Sequence, residues 1–170
     1  GKVWKTSYSA RGEVVAERDP TGALRQFAYD PVGNLIKASD ANGAPTTFAY
    51  DARRNQVRIT AANGGVTASV YDASGRLTAA TDPLGRATTS TYDPAGRLVG
   101  SADPSGRTTA FVYDATGRLL TRTYGDNSSV AYTYDPAGRR TSMVDATGTT
   151  TYAYDAAGQP TMISQPDGTT

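Results

Sequence analysis

Short stretches of apolar, β-branched and aromatic residues alternate with clusters of turn-forming residues along the whole chain. The stretch 108–113, Thr-Thr-Ala-Phe-Val-Tyr, is typical of a β-strand, because such side chains favour extended backbone. It lies between Asp-Pro-Ser-Gly-Arg at 103–107 and Asp-Ala-Thr-Gly-Arg at 114–118. No stretch has the period of a helix. The pattern predicts an all-β protein, a continuous antiparallel meander of about 15–16 short strands.

A repeat of 21 residues underlies this alternation. Tyr recurs at a spacing of 21, usually with Asp next and Gly four residues after the Tyr, and the last interval is 20. Each repeat therefore supplies two turns and two strands. The Tyr positions are Tyr8, Tyr29, Tyr50, Tyr71, Tyr92, Tyr113, Tyr134 and Tyr154. We predict one array of eight repeats, excised from a longer array, at about 1–21, 22–42, 43–63, 64–84, 85–105, 106–126, 127–147 and 148–170.

The first turn of each repeat has the residue order of a tight hairpin. In the fifth repeat it runs from Asp93 through Pro, Ala and Gly to Arg97. Pro presets φ, Asp bonds nearby backbone, and Gly accepts the left-handed conformation, which predicts a three-residue loop with a bulge at the Gly. Asp93 and Arg97 then oppose each other, and Tyr92 lies opposite Leu98.

An odd repeat length conflicts with the two-residue period of a strand. A period of 21 would move the Tyr side chains to the opposite face in each successive repeat. We therefore expect one longer loop or one β-bulge per repeat, and expect the final copy of 20 residues to lack it. Because strands twist and only 24 residues are Leu, Ile, Val or Phe, we expect a single coiled or spiral sheet, a partial β-shell.

Two repeats depart from the turn pattern. In the third repeat Arg54 stands where the first-turn Gly is expected, and Asn55 follows it. We expect Asn55 to adopt the left-handed conformation in a shifted turn. In the sixth repeat Tyr-Gly-Asp-Asn at 124–127 replaces Asp-Pro-x-Gly. These departures indicate either a contact with something outside the sheet or sequence drift.

Composition excludes several kinds of chemistry. The chain has no Cys and no His, which excludes disulfides, Cys or His catalysis and zinc sites built on those residues. A net charge of +1 does not favour nucleic-acid binding. No apolar run is long enough to cross a membrane, and no signal peptide is present. The turn Asp residues are equivalent to one another and supply too few oxygens for calcium. We expect no catalytic residues, no cofactor and no metal.

The motif Tyr-Asp-x-x-Gly-Arg-Leu, intact at 71–77, 92–98 and 113–119, resembles the signature of YD repeats, also called RHS repeats. The resemblance covers the whole chain. It points to bacterial Rhs polymorphic toxins, wall-associated proteins, insecticidal toxin complexes and, more distantly, animal teneurins. The predicted structural motif residues are Tyr29, Asp30, Gly33, Tyr71, Asp72, Gly75, Arg76, Leu77, Tyr92, Asp93, Gly96, Arg97, Leu98, Tyr113, Asp114, Gly117, Arg118, Leu119, Tyr134, Asp135, Gly138 and Arg139.

The resemblance implies a structural segment of a hollow shell. In the bacterial family members such a shell encloses a C-terminal toxin, so the implied partners are the rest of the parent shell and its cargo. The implied location of the parent is secreted or cell-surface, and 14 Arg against three Lys favour a bacterial source. Exposed edge strands predict edge-to-edge self-association of the fragment. The alternative function is a carbohydrate-binding or adhesion module that uses the exposed Tyr and Asp columns.

Overall fold

The computed structural model describes residues 3–166, which form sixteen strands and contain no helix. The strands are β1 Lys5–Tyr8, β2 Val14–Arg18, β3 Leu24–Tyr29, β4 Leu35–Ser39, β5 Pro45–Tyr50, β6 Gln56–Thr60, β7 Val66–Tyr71, β8 Leu77–Thr81, β9 Ala87–Tyr92, β10 Leu98–Ala102, β11 Thr108–Tyr113, β12 Leu119–Tyr124, β13 Ser129–Tyr134, β14 Arg140–Asp145, β15 Gly148–Tyr154 and β16 Pro160–Ser164. The predicted fold class and strand number are confirmed.

All sixteen strands belong to one sheet, in which spatial order follows chain order from β1 to β16. The chain divides into two compact units, residues 1–87 and 88–170. In the first unit, β1 to β8 pair in succession as antiparallel neighbours. In the second unit, β9 to β16 do the same. The predicted continuous meander is therefore confirmed.

The first turn of each repeat is the tight hairpin that its residue order predicts. In the fifth repeat the Asp93 amide donates to the Arg97 carbonyl at 2.9 Å, and the Gly96 amide donates to the Asp93 carbonyl at 2.9 Å. Gly96 has φ 86°, in the left-handed region that favours glycine. The three-residue loop with a bulge at the Gly is confirmed.

A β-bulge next to each first turn absorbs the odd residue of the period. Tyr92 pairs with Leu98, whereas the preceding Thr91 pairs with Gly100, so Val99 has no partner on the opposite strand. The same register shift occurs once in every first hairpin of the described chain. The bulged residues are Val15, Ile36, Val57, Thr78, Val99, Leu120, Thr141 and Thr161. Of the two expected devices, the structure uses the bulge.

Because of the bulge, tyrosines of successive repeats point to the same face within each unit. Directly paired residues share a face, so Thr91, Gly100 and Ala110 lie together. Tyr92 follows Thr91 by one residue and Tyr113 follows Ala110 by three, which places both tyrosines on the opposite face. We call that surface the tyrosine face.

The expectation that the 20-residue copy lacks the bulge is wrong. Thr133 pairs with Ser142 and Tyr134 pairs with Arg140, so the bulge at Thr141 is retained. The missing residue is instead taken from the second turn, where Asp145 pairs directly with Gly148 and only two residues connect them. A turn can lose a residue without changing which face its flanking side chains occupy, whereas a strand cannot.

The expected shift of the third-repeat turn is also wrong. The Arg54 amide donates to the Asp51 carbonyl at 3.0 Å, and Arg54 itself has φ 68°. The turn therefore keeps its register, and Arg54 takes the conformation that Gly has elsewhere. In the sixth repeat Asn127 does the same, with φ 67°. The neighbouring hairpins fix the register, and the local residue adapts to it.

The sheet has no hydrophobic core within residues 3–166. No hydrophobic side chain there is buried, and Leu84 and Val70 are 76% and 56% exposed. This agrees with the small number of aliphatic residues in the sequence. Stability must come from backbone pairing and from contacts across neighbouring strands.

Candidate functional site

The tyrosine of each motif joins two consecutive repeats. Tyr113 pairs with Leu119 inside its own hairpin, while its hydroxyl donates to the Leu98 carbonyl of the preceding repeat at 2.9 Å. Equivalent hydroxyl bonds measure 2.8 to 3.2 Å at Tyr29, Tyr50, Tyr71, Tyr134 and Tyr154. The Tyr–Leu pairing that the sequence predicts is confirmed, and the reach to the preceding repeat is new.

The aspartate of each motif holds the first turn closed. One carboxylate oxygen of Asp114 accepts from the amides of Thr116 and Arg118 at 2.9 Å each, and the other accepts from Arg118 Nε at 2.6 Å. The predicted opposition of Asp and Arg is confirmed here and at the equivalent turns. The Arg97 amide, followed by its guanidinium, lowers the pKa of Asp93 against partial desolvation.

The arginine of each motif reaches forward into the next repeat. Besides bonding its own Asp, Arg118 donates from Nη1 to the Asp135 carbonyl at 3.1 Å and stacks over the Tyr134 ring at 5.0 Å. Arg97 and Arg139 make the same two contacts one repeat away. A guanidinium over an aromatic face is attractive, and its planar edge leaves the N–H groups free to donate.

We call this set of contacts the repeat clasp: a Tyr hydroxyl bonded backward, and an Arg stacked and bonded forward. In the first unit, Asn34 and Asn55 occupy the Arg position and bond the same aspartate oxygens at 2.8 and 2.9 Å. Their shorter side chains close the turn but do not extend to the next repeat. The complete clasp is therefore a feature of the second unit.

The predicted motif residues all lie at or beside the first turns. The structure groups Tyr, Asp, Gly, Arg and Leu of one motif around each turn, and connects each turn to the next repeat through the clasp. The sequence analysis missed the forward contacts of the arginines. The available signal was the near-constant spacing from Arg97, Arg118 and Arg139 to the next Tyr, which has no meaning until neighbouring strands are placed side by side.

The turn carboxylates do not converge on a reactive centre. Within residues 3–166, no group of three or more Asp or Glu residues could hold a metal ion. Asp72, Asp93 and Asp135 are each bonded by the arginine of their own turn. A search for long apolar helices among the described residues finds none that could span a bilayer.

Comparison with protein families identifies the repeat. The family model described as RHS Repeat matches residues 8–44, 29–66, 71–108, 92–129, 113–150 and 134–170. The chain belongs to the RHS repeat family. The resemblance that the Tyr-Asp motif indicated is thereby confirmed. Comparison with curated protein sequences finds no match.

Solved structures share the fold of this RHS repeat chain. The TcdB2-TccC3 complex without its hypervariable C-terminal region matches with TM-score 0.71 and 16% identity, over 96% of this chain and 10% of that one. TcdB2-TccC3-Cdc42 matches with TM-score 0.65 and 16% identity, over 90% and 10%. A Photorhabdus luminescens Tc holotoxin pore with a TccC3 mutation matches with TM-score 0.63 and 14% identity, over 95% and 12%. The RHS repeat chain thus spans about a tenth of the proteins that it matches.

Proposed function

We propose that this chain is a non-catalytic wall segment of an RHS shell, and that the shell encloses a toxin or other cargo carried by the same parent protein. The observation that supports this most directly is the repeat clasp. It joins each repeat of the second unit to its neighbour through identical polar contacts, with no buried hydrophobic side chain among the described residues. Such a layer can be extended by adding equivalent repeats.

The proposed coiling of the sheet connects the fold with a container. Adjacent strands rotate by roughly 20–25° relative to one another, so a wide sheet curves and acquires a hollow side. The structural matches to a toxin complex and a holotoxin pore agree with a wall in a secreted assembly. The proposed partners are the remaining shell and the enclosed polypeptide, and the proposed location of the parent protein is outside the producing bacterium.

The alternative adhesion function would need the tyrosine column to be free to stack on sugars. In the second unit, Arg97 covers the Tyr113 ring at 5.1 Å, and the Tyr113 hydroxyl is donated to a backbone carbonyl. Arg118 and Arg139 cover the next two column tyrosines in the same way. These contacts favour a structural role for the column.

Limited proteolysis of the full-length parent protein tests the proposal. We expect a cargo segment to resist protease in the native protein and to be digested after denaturation. Replacing Arg97, Arg118 and Arg139 with Ala should make that segment protease-sensitive. The matched control is Arg107→Ala, because Arg107 bonds its own turn Asp103 but has an 81% exposed side chain and no clasp. A native parent without any protected segment would contradict the proposal.

A further inference from the structure

One arginine departs from the pairing rule of the array. Arg122 lies on β12, directly opposite Phe111 and Val130. Its guanidinium is 4.8 Å from the centre of the Tyr124 ring and 5.8 Å from that of Phe111. Its Nε is buried and has no hydrogen-bond partner. No carboxylate among residues 3–166 forms an ion pair with it.

The fold does not require arginine at this position. The equivalent position holds Ala38, Ile59, Ala80 and Met143 in four other repeats. A buried N–H without a partner destabilises a protein, and a half-buried charge without a counter-ion adds to that cost. An apolar side chain would avoid both costs. Arg122 is therefore explained better by a group that binds to it than by the packing of the sheet.

Arg122 lines an open cleft of about 810 Å³ beside the second turns of the fifth and sixth repeats. The other lining residues are mostly hydroxyl-bearing or charged: Ser101, Asp103, Ser105, Gly106, Arg107, Thr108, Thr109, Tyr124, Gly125, Asp126 and Ser128. Hydroxyl groups can both donate and accept hydrogen bonds. A cleft with this lining suits a polar ligand that carries many hydroxyl groups of its own.

The charged groups of the cleft show which ligand chemistry is complementary. Asp103 is neutralised by Arg107 at 2.8 Å. One Asp126 oxygen accepts from the Ser128 amide and hydroxyl, and the other has no hydrogen-bond partner. The cleft thus offers an unpaired cation at Arg122 and an unpaired acceptor at Asp126. A ligand that fits both has a carboxylate for the first and O–H donors for the second.

We propose that this cleft binds an acidic sugar, a uronic-acid unit of a polysaccharide, through its carboxylate on Arg122 and a ring hydroxyl on Asp126. An acidic peptide supplies the carboxylate, but its further carboxylates would meet Asp126 and the turn of Asp103. The proposed site is separate from the tyrosine column and does not depend on cargo enclosure. It also accounts for the departure of residues 124–127 from the Asp-Pro-x-Gly pattern, since Tyr124 replaces a turn Asp beside Arg122.

Calorimetry with the full chain and a galacturonic acid trisaccharide tests the proposal. We expect saturable binding that Arg122→Met weakens at least tenfold, with an unchanged or higher thermal unfolding midpoint. Asp126→Asn should weaken binding without unfolding the chain and serves as an independent second variant. Arg140→Leu is the matched control, because Arg140 is also stacked, at 4.4 Å over Tyr152, but lies outside the cleft. It should change affinity less than twofold.

The other outcomes would overturn the proposal. No binding by the native chain at millimolar trisaccharide would remove the site. Equal binding by the native chain and Arg122→Met would remove the role of Arg122. Equal binding of a neutral galactose trisaccharide would show that the carboxylate is not recognised. Binding of a hexaglutamate peptide without binding of the trisaccharide would replace the sugar with a polypeptide ligand.

Discussion

Loss of one clasp arginine should destabilise the second unit more than loss of an arginine that closes only its own turn. Arg118→Ala removes three contacts: the ion pair to Asp114 at 2.6 Å, the bond to the Asp135 carbonyl at 3.1 Å and the stacking on Tyr134 at 5.0 Å. Partly exposed contacts of these kinds sum to about 1–2 kcal/mol. Arg107→Ala removes one exposed pair, which contributes about 0–1 kcal/mol.

Urea unfolding and hydrogen exchange measure the difference. With an m-value of about 2 kcal/mol/M, Arg118→Ala should lower the urea midpoint by about 0.5–1 M. Amide exchange should accelerate first in β12 and β13, because those strands carry the broken clasp. The double variant Arg118→Ala with Tyr134→Leu should destabilise less than the sum of the two single variants. If Arg107→Ala lowers the midpoint as much as Arg118→Ala does, the clasp does not stabilise the array.

Three further changes test individual features. Arg54→Gly should stabilise the chain by about 1 kcal/mol in urea unfolding, because it relieves a positive φ, whereas Arg53→Gly should not. Tyr113→Phe should cost about 0.5–1.5 kcal/mol by losing its backward bond, while Tyr132→Phe should stay within about 0.5 kcal/mol. Because folding lowers the pKa of Asp93 below 3.8, its contribution is complete above about pH 5 and is lost as pH falls through the lowered value. Asp93→Asn should therefore flatten the loss of stability below about pH 4, and an unchanged acid titration would contradict this.

The sequence predicts most of the fold because its signals are local and repeated. The turn chemistry between Asp93 and Arg97 determines the loop length, and loop length determines that Tyr92 faces Leu98. The need for a bulge follows from the odd period alone. Which of several devices supplies the compensation depends on how neighbouring strands pair, and so the retained bulge at Thr141 could not be read from spacing.

The errors and omissions concern contacts between repeats. Asn55 is intrinsically the better left-handed residue, yet Arg54 adopts that conformation because the hairpins on either side hold the register. The stacking of Arg118 on Tyr134 joins residues 16 positions apart, which become neighbours only when the strands are aligned. The cleft at Arg122 likewise depends on which side chains the register places together.

The bulge has a consequence for how such proteins change length. Duplication or deletion of a complete 21-residue segment leaves every downstream aromatic on its original side, since each segment contains its own compensating residue. Loss of one residue inside a strand would instead invert all later side chains at once. Genetic recombination between copies can therefore lengthen or shorten the protein in single steps without disturbing the remaining sheet.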